Sequence, residues 1–194
     1  MKHVLTPADI MPMDEYERVR KVRRGEIIAA KNNRRLPVGP YATFYFENYD
    51  TMWLQVHEML RIEKGGEAQL EDELRAYNPL IPQGNELVAT VMFEIEDAER
   101  RAVLLARLGG VENRMELRLE GEAIKGQAER DLDYTSAEGK ASSVQFVHFP
   151  FTPAQKEKFR RPQMQAGVAI THENYGHMAV MPAIMRQELS KEFD

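Results

Sequence analysis

Between residues 86 and 96 this chain alternates with a period of two. Leu87, Ala89, Val91, Phe93 and Ile95 share one face; Val88, Thr90, Met92 and Glu94 share the other. That spacing describes a pleated strand, and a strand obliges the rest of the chain to supply a sheet around it. Residues 41–46 offer a neighbour: Ala42, Phe44 and Phe46 alternate with Tyr41, Thr43 and Tyr45, a mixture that suits a sheet surface. Met115, Leu117 and Leu119 alternate with Glu116, Arg118 and Glu120, the pattern of a half-exposed strand. Residues 122–130 are expected to return antiparallel after Gly121. Residues 143–149 read as a buried strand, and 167–172 with 177–181 as a hairpin.

Helices fill the intervals. Thr6-Pro7-Ala8-Asp9 has the form of a capped helix start. Tyr16, Val19, Val22, Ile27 and Ala30 recur near helical spacing and predict a helix over 14–31, with Gly25 as a weak point. Further helices are predicted over 48–64 (closed by Gly65-Gly66), 67–77 and 97–107. Two more run from the capped start Thr152-Pro153-Ala154-Gln155 to Phe159, and from Pro182 to about Leu189. Residues 131–142 read as a polar loop. Strands joined by tight turns and mixed with helices predict an α+β fold, a largely antiparallel sheet packed against several helices. With no internal repeat and no clear linker, residues 1–194 are expected to form one domain with a basic helical segment at about 1–35.

Composition narrows the function. The chain has no cysteine, which excludes disulfides, thiolate metal sites, protein-ligated iron–sulfur clusters and cysteine catalysis. No run of 18 apolar residues predicts a membrane span, and residues 1–7 lack the apolar stretch of a signal peptide; a cytoplasmic protein is expected. The net charge of −5 argues against a protein that coats nucleic acid. The charge is uneven: residues 1–35 hold nine Lys and Arg against five acids, about +4, so the remainder is about −9. Such a basic arm can dock on its own body, on a partner or on phosphate.

Phosphate loops ending in Gly-Lys-Ser/Thr, nucleophile elbows, His-Glu-x-x-His zinc motifs and dinucleotide fingerprints are all missing. Three scattered constellations remain. On the 48–64 helix, at about 100° per residue, Tyr49, Met52, Trp53, Val56, Met59 and Leu60 form an apolar stripe. Asp50, His57, Arg61 and Lys64 fall opposite and are expected to be solvated. Asn48, Thr51, Gln55 and Glu58 form a hydrogen-bonding row between them, which either lines a cleft or is an ordinary helix boundary.

The second constellation is His172-Glu173-Asn174-Tyr175-Gly176-His177. A loop of four residues would oppose His172 and His177 with Cβ atoms about 5 Å apart, and His148 could add a third imidazole. With Glu58 or Glu173 such a set suits zinc or iron(II); each histidine can equally well satisfy a backbone group. The third is Arg18, Arg20, Lys21, Arg23 and Arg24, continued by Arg34 and Arg35. These charges spread around the helix without interleaved aromatics, so single-strand stacking is unsupported, while a phosphate at a few arginines is chemically reasonable.

Several stretches together resemble the bacterial family called domain of unknown function 3501. They are Asp9-Ile10-Met11-Pro12, the run from Val38 to Asn48, the run from Gln55 to Glu63, Tyr77-Asn78-Pro79-Leu80-Ile81-Pro82, Val147-His148-Phe149-Pro150-Phe151 and Asn174-Tyr175-Gly176-His177. The resemblance spans nearly the whole chain and brings no activity or catalytic residue with it. Proteins that the chain resembles are encoded beside rubrerythrin-like and iron–sulfur electron-transfer proteins, which implies a role near peroxide or redox metabolism.

Three functions follow as expectations. The first is a cytoplasmic accessory or binding protein, partnered by a rubrerythrin-like or iron–sulfur protein. The second is a small metalloenzyme, with zinc or iron on His148, His172 and His177 and with Glu58 or Glu173 as acid–base group. The third is a pocket for an anionic small molecule, formed by Arg61, Arg24 and the row Asn48, Thr51, Gln55 and Glu58.

Overall fold

The computed structural model describes residues 2–130 and 132–194. Met1, and Asp131 at the start of the predicted polar loop, lie outside the described residues. The chain opens with one 3-10 turn, Pro7–Asp9, closed as its sequence predicts: the Asp9 carboxylate accepts from the Thr6 backbone N–H and hydroxyl. Helix α1 (Met13–Lys31) passes through Gly25 without interruption. It tightens into a 3-10 turn, Asn32–Arg34, that leads into strand β1 (Arg35–Val38). The sequence reading missed this strand. Four residues that include a proline carry little signal, and Pro37 is tolerated because β1 is a sheet edge.

Strand β2 (Ala42–Phe46) and helices α2 (Tyr49–Glu63) and α3 (Gly66–Tyr77) follow. Asn48 caps α2: its side chain accepts from the Thr51 N–H at 3.0 Å, and the Thr51 hydroxyl accepts from the Asn48 N–H at 2.9 Å. At the other end Lys64 itself adopts the left-handed conformation (φ 55°), so the helix closes one residue before the predicted Gly65-Gly66. Next come β3 (Glu86–Phe93), α4 (Ala98–Leu105), β4 (Met115–Leu119), β5 (Glu122–Lys125) and β6 (Gln127–Ala128). The chain finishes with β7 (Val144–Pro150), α5 (Pro153–Arg160), β8 (Ala166–His172), β9 (Tyr175–Val180) and α6 (Ala183–Leu189).

The strands form two sheets, β1-β2-β3-β7-β6 and β5-β4-β8-β9, and every neighbouring pair is antiparallel. The fold is α+β. One core lies between the inward faces, with Phe44, Phe46, Val91 and Phe149 from the first sheet and Leu117, Val168 and Ile170 from the second. The outer face of the five-stranded sheet meets α1, α2 and α3 in a second core, where Val88 packs with Tyr16, Met52, Trp53, Val56 and Leu74. Because this sheet is covered on both sides, β3 is apolar on both of its faces. Among the described residues no helix is long and apolar enough to cross a membrane.

The expected antiparallel return over 122–130 is corrected in one respect. It breaks at Gly126, and the two halves join different sheets: β5 pairs with β4, while β6 pairs with β7. A Cβ at Gly126 would lie 2.6 Å from Val147 Cγ1 and 2.9 Å from the Met115 carbonyl oxygen, so only glycine lets the chain cross here.

Candidate functional site

The three histidines do not converge. The β8–β9 turn is two residues long, Glu173 and Asn174, not four: His172 pairs with Tyr175, and His177 pairs with Ile170. The predicted opposition of His172 and His177 is therefore overturned. Asn174 explains the tight turn, since its amide donates to the Arg107 carbonyl at 3.0 Å and its N–H donates to His172 Nδ1 at 3.2 Å. His172 Nε2 donates to the Gly109 carbonyl at 3.2 Å, so both ring nitrogens serve the backbone. His177 is exposed and packs edge-on against the Tyr175 ring, 4.5 Å between centroids. Glu173 is an exposed turn residue.

His148 stands on the other sheet between two carboxylates. Nδ1 is 2.9 Å from Glu86 Oε2, and Nε2 is 2.7 Å from Glu129 Oε2. Burial lowers its pKa, but the hydrogen bonds and charges of Glu86 and Glu129 outweigh burial and raise it. A carboxylate at each ring nitrogen favours the doubly protonated ring, in which neither nitrogen has a lone pair for a metal. Among the described residues no group of three or more His, Asp or Glu side chains is placed to hold a metal ion.

The polar row of α2 is divided among three tasks. Asn48 and Thr51 are absorbed in the helix cap. Glu58 accepts two hydrogen bonds from Arg20, both 2.7 Å, and one from the Tyr16 hydroxyl at 2.6 Å. The Arg20 hydrogen bonds, above all, hold the Glu58 carboxyl down at about 2, which makes it a structural anion and not an acid–base group. Arg61 donates to Glu17 at 2.6 Å, and Arg24 lends Glu58 further positive charge. The anion pocket drawn from Arg61, Arg24 and this row does not form as one site. Arg61 lines one hollow and Gln55 another.

His57 is corrected as well. It is expected to be solvated, yet it is fully buried. The N-terminal segment crosses that side of α2: the Met11 N–H donates to His57 Nε2 at 3.0 Å, the Trp53 indole donates to the Asp9 carbonyl at 2.9 Å, and His57 Nδ1 donates to the Trp53 carbonyl at 2.8 Å. The basic arm thus docks on its own body. Arg34 goes deepest. It is 2% exposed and bonds to the carbonyls of Phe46 and Glu47 and to the carboxylates of Glu188 and Glu192.

Two concavities flank α2. The larger, about 730 Å³, lies between Ile10–Met13 and the facing ends of α2 and α3. Its floor is apolar, with Ile10, Met11, Met13, Leu60 and Leu70, and no buried unpaired polar group lines it. The smaller, about 460 Å³, is different in kind. Its floor is the outer face of the five-stranded sheet: Tyr45, Glu47, Thr90, Met92, Val144 and Phe146. Its walls are Lys31 of α1, Met52 and Gln55 of α2, Tyr77 of α3 and Leu80 just beyond it.

Glu47 is the group that sets this hollow apart. The residue is 6% exposed, and Thr90 donates its hydroxyl hydrogen to Oε1 at 2.8 Å. Oε2 has no hydrogen-bond partner among the described residues. Arg34 reaches only the Glu47 backbone carbonyl, at 3.0 Å. Nearby, Gln55 Nε2 donates to the Tyr77 hydroxyl at 3.3 Å. The sequence reading missed Glu47 because it follows β2 as a single acid before a helix cap, where exposure is the ordinary expectation.

Comparison with known proteins adds family but no activity. A family model described as "Protein of unknown function (DUF3501)" matches residues 4–193. A crystal structure of a novel protein of unknown function from Burkholderia pseudomallei is similar to this one, with a TM-score of 0.90 and 31% sequence identity over 98% of this chain and 100% of that chain. No curated protein matches the sequence. With almost its whole length matched, the chain belongs to the DUF3501 family.

Proposed function

We propose that this protein binds a small organic molecule in the hollow between helices α1–α3 and the five-stranded sheet, and acts by binding, not by chemistry. One observation carries the reading: Glu47 is among the residues that line this hollow, and its buried Oε2 has no hydrogen-bond partner among the described residues. A buried acceptor without a partner costs about 1–3 kcal/mol, more when charged, and a ligand's N–H or O–H recovers that loss. The mixture of apolar side chains and a few polar groups in its lining is that of a ligand pocket.

The test is a thermal-shift screen, since a ligand bound only by the native state raises the melting temperature. Ligands should shift the wild type and not Met92→Trp, which fills the hollow. A screen without hits, or hits that bind the filled variant equally well, would remove the reading. An accessory role beside a rubrerythrin-like or iron–sulfur protein, in the cytoplasm, is the wider part of the proposal. It rests on the family resemblance, and co-purification from native lysate tests it.

A further inference from the structure

We infer that the hollow takes an organic cation, an ammonium or amidinium group carried on a flat apolar body. The inference rests on the hollow being the ligand site. It follows from an inventory of charge and hydrogen bonds around Glu47. The carboxylate is more than nine-tenths buried, and no cation of the described chain touches either oxygen. Arg34, the buried guanidinium that bonds to the Glu47 backbone carbonyl, is fully engaged by two carbonyls and by Glu188 and Glu192. A buried carboxylate needs a counter-charge or a strong donor. Thr90 supplies one neutral hydrogen bond and leaves Oε2 open.

The neighbouring polar groups have the same polarity. Gln55 donates its amide N–H to Tyr77, and its carbonyl has no hydrogen-bond partner among the described residues, which adds an acceptor in the wall to the one in the floor. A group with several N–H donors and a positive charge matches two acceptors, one of them anionic. Phe146, Met52 and Met92 provide an aromatic face and two polarizable thioethers for the apolar remainder. Lys31 also lines the hollow and forms no ion pair among the described residues, which makes it a competitor for Glu47 and not a reason to expect an anion.

Three near-isosteric probes separate charge from shape: benzamidine, benzamide and benzoate. Titration of the full-length protein by calorimetry should give benzamidine at least tenfold tighter binding than benzamide, with benzoate weakest. Glu47→Gln should lose at least tenfold in benzamidine affinity, whereas Lys31→Met, which removes the competing ammonium from the wall, should bind it more tightly than the wild type. Methyl spectra of the wild type guard against a misfolded variant: benzamidine should shift the Met52 and Met92 methyl signals. Equal binding of all three probes, preference for benzoate, loss of binding in Lys31→Met, or unchanged binding in Glu47→Gln would each overturn the cation while leaving the hollow as a site. No binding of any probe, with unmoved Met52 and Met92 signals, would overturn both.

Discussion

Thr90 donates to Glu47 Oε1 at 2.8 Å and so holds in place a carboxylate whose other oxygen is unpartnered. The two residues meet because β2 and β3 pair with Phe46 opposite Ala89, which brings Glu47 and Thr90 to the same outer face of the sheet. A side chain kept in an unfavourable state by good local geometry is the signature of stability given up at a binding site.

Glu47→Gln is therefore expected to raise the stability of the free protein. Removing a buried, unpaired charge gains about 1 kcal/mol, or roughly 2–4 °C in melting temperature for a chain of this size. Thermal unfolding without ligand checks it. A fall in melting temperature would show that Oε2 is compensated in the folded state.

Arg34 behaves in the opposite way. Its guanidinium lies 2.8 Å from Glu192, with the two side chains 2% and 5% exposed, and also holds two carbonyls at 3.0 Å. Arg34→Met strips the counter-charge from Glu192 and leaves both carbonyls unpaired, at a cost of about 3–5 kcal/mol. Denaturant unfolding of this variant should show a far lower midpoint than that of Arg18→Met, whose partner Asp14 is exposed.

Two histidines, His148 on β7 and the buried His57 on α2, should give stability opposite pH dependences. His148 has a raised pKa, against its burial, because of Glu86 and Glu129. Its contribution is full below the unfolded imidazole value of about 6.5 and is lost as pH rises through the folded value. His57 is lowered by burial. Its contribution is present above about pH 6.5 and is lost as pH falls through the folded value, where protonation abolishes its acceptance of the Met11 N–H. Unfolding curves measured from pH 5 to 9 should show His148→Gln losing the alkaline fall and His57→Gln losing the acid fall. As the pH falls and His57 is protonated, the Trp53 indole signal should report loosening of the N-terminal segment.

Tyr175 fastens one sheet to the other. Its hydroxyl donates to the Val38 carbonyl at 2.9 Å and accepts from the N–H groups of Tyr41 and Ala42, both at 2.9 Å. Tyr175→Phe keeps the ring and leaves three backbone groups without their partner, so it should cost about 2–3 kcal/mol. Hydrogen exchange should accelerate at Tyr41 and Ala42 in particular; unchanged protection there would mean that water replaces the hydroxyl.

Periodicity and capping made most of the elements legible from the sequence. The alternation at 86–96, the capped starts at Thr6 and Thr152, and the long helix through Gly25 are all local, because each depends on neighbours within a few residues. Which side of an element is covered is not local. His57 falls on the polar side of its own helix, and only the return of Met11 across that side buries it. The β8–β9 register turns on a single docking of Asn174 against Arg107, which alternation alone does not specify. The break at Gly126 depends on Val147 and Met115 approaching from two different sheets. The site is the extreme case. Gln55 was visible as one of a polar row, but Glu47, Thr90, Tyr77 and Lys31 come from four other parts of the chain. They become neighbours only when three helices close over a sheet face, and no spacing in the sequence records that distance.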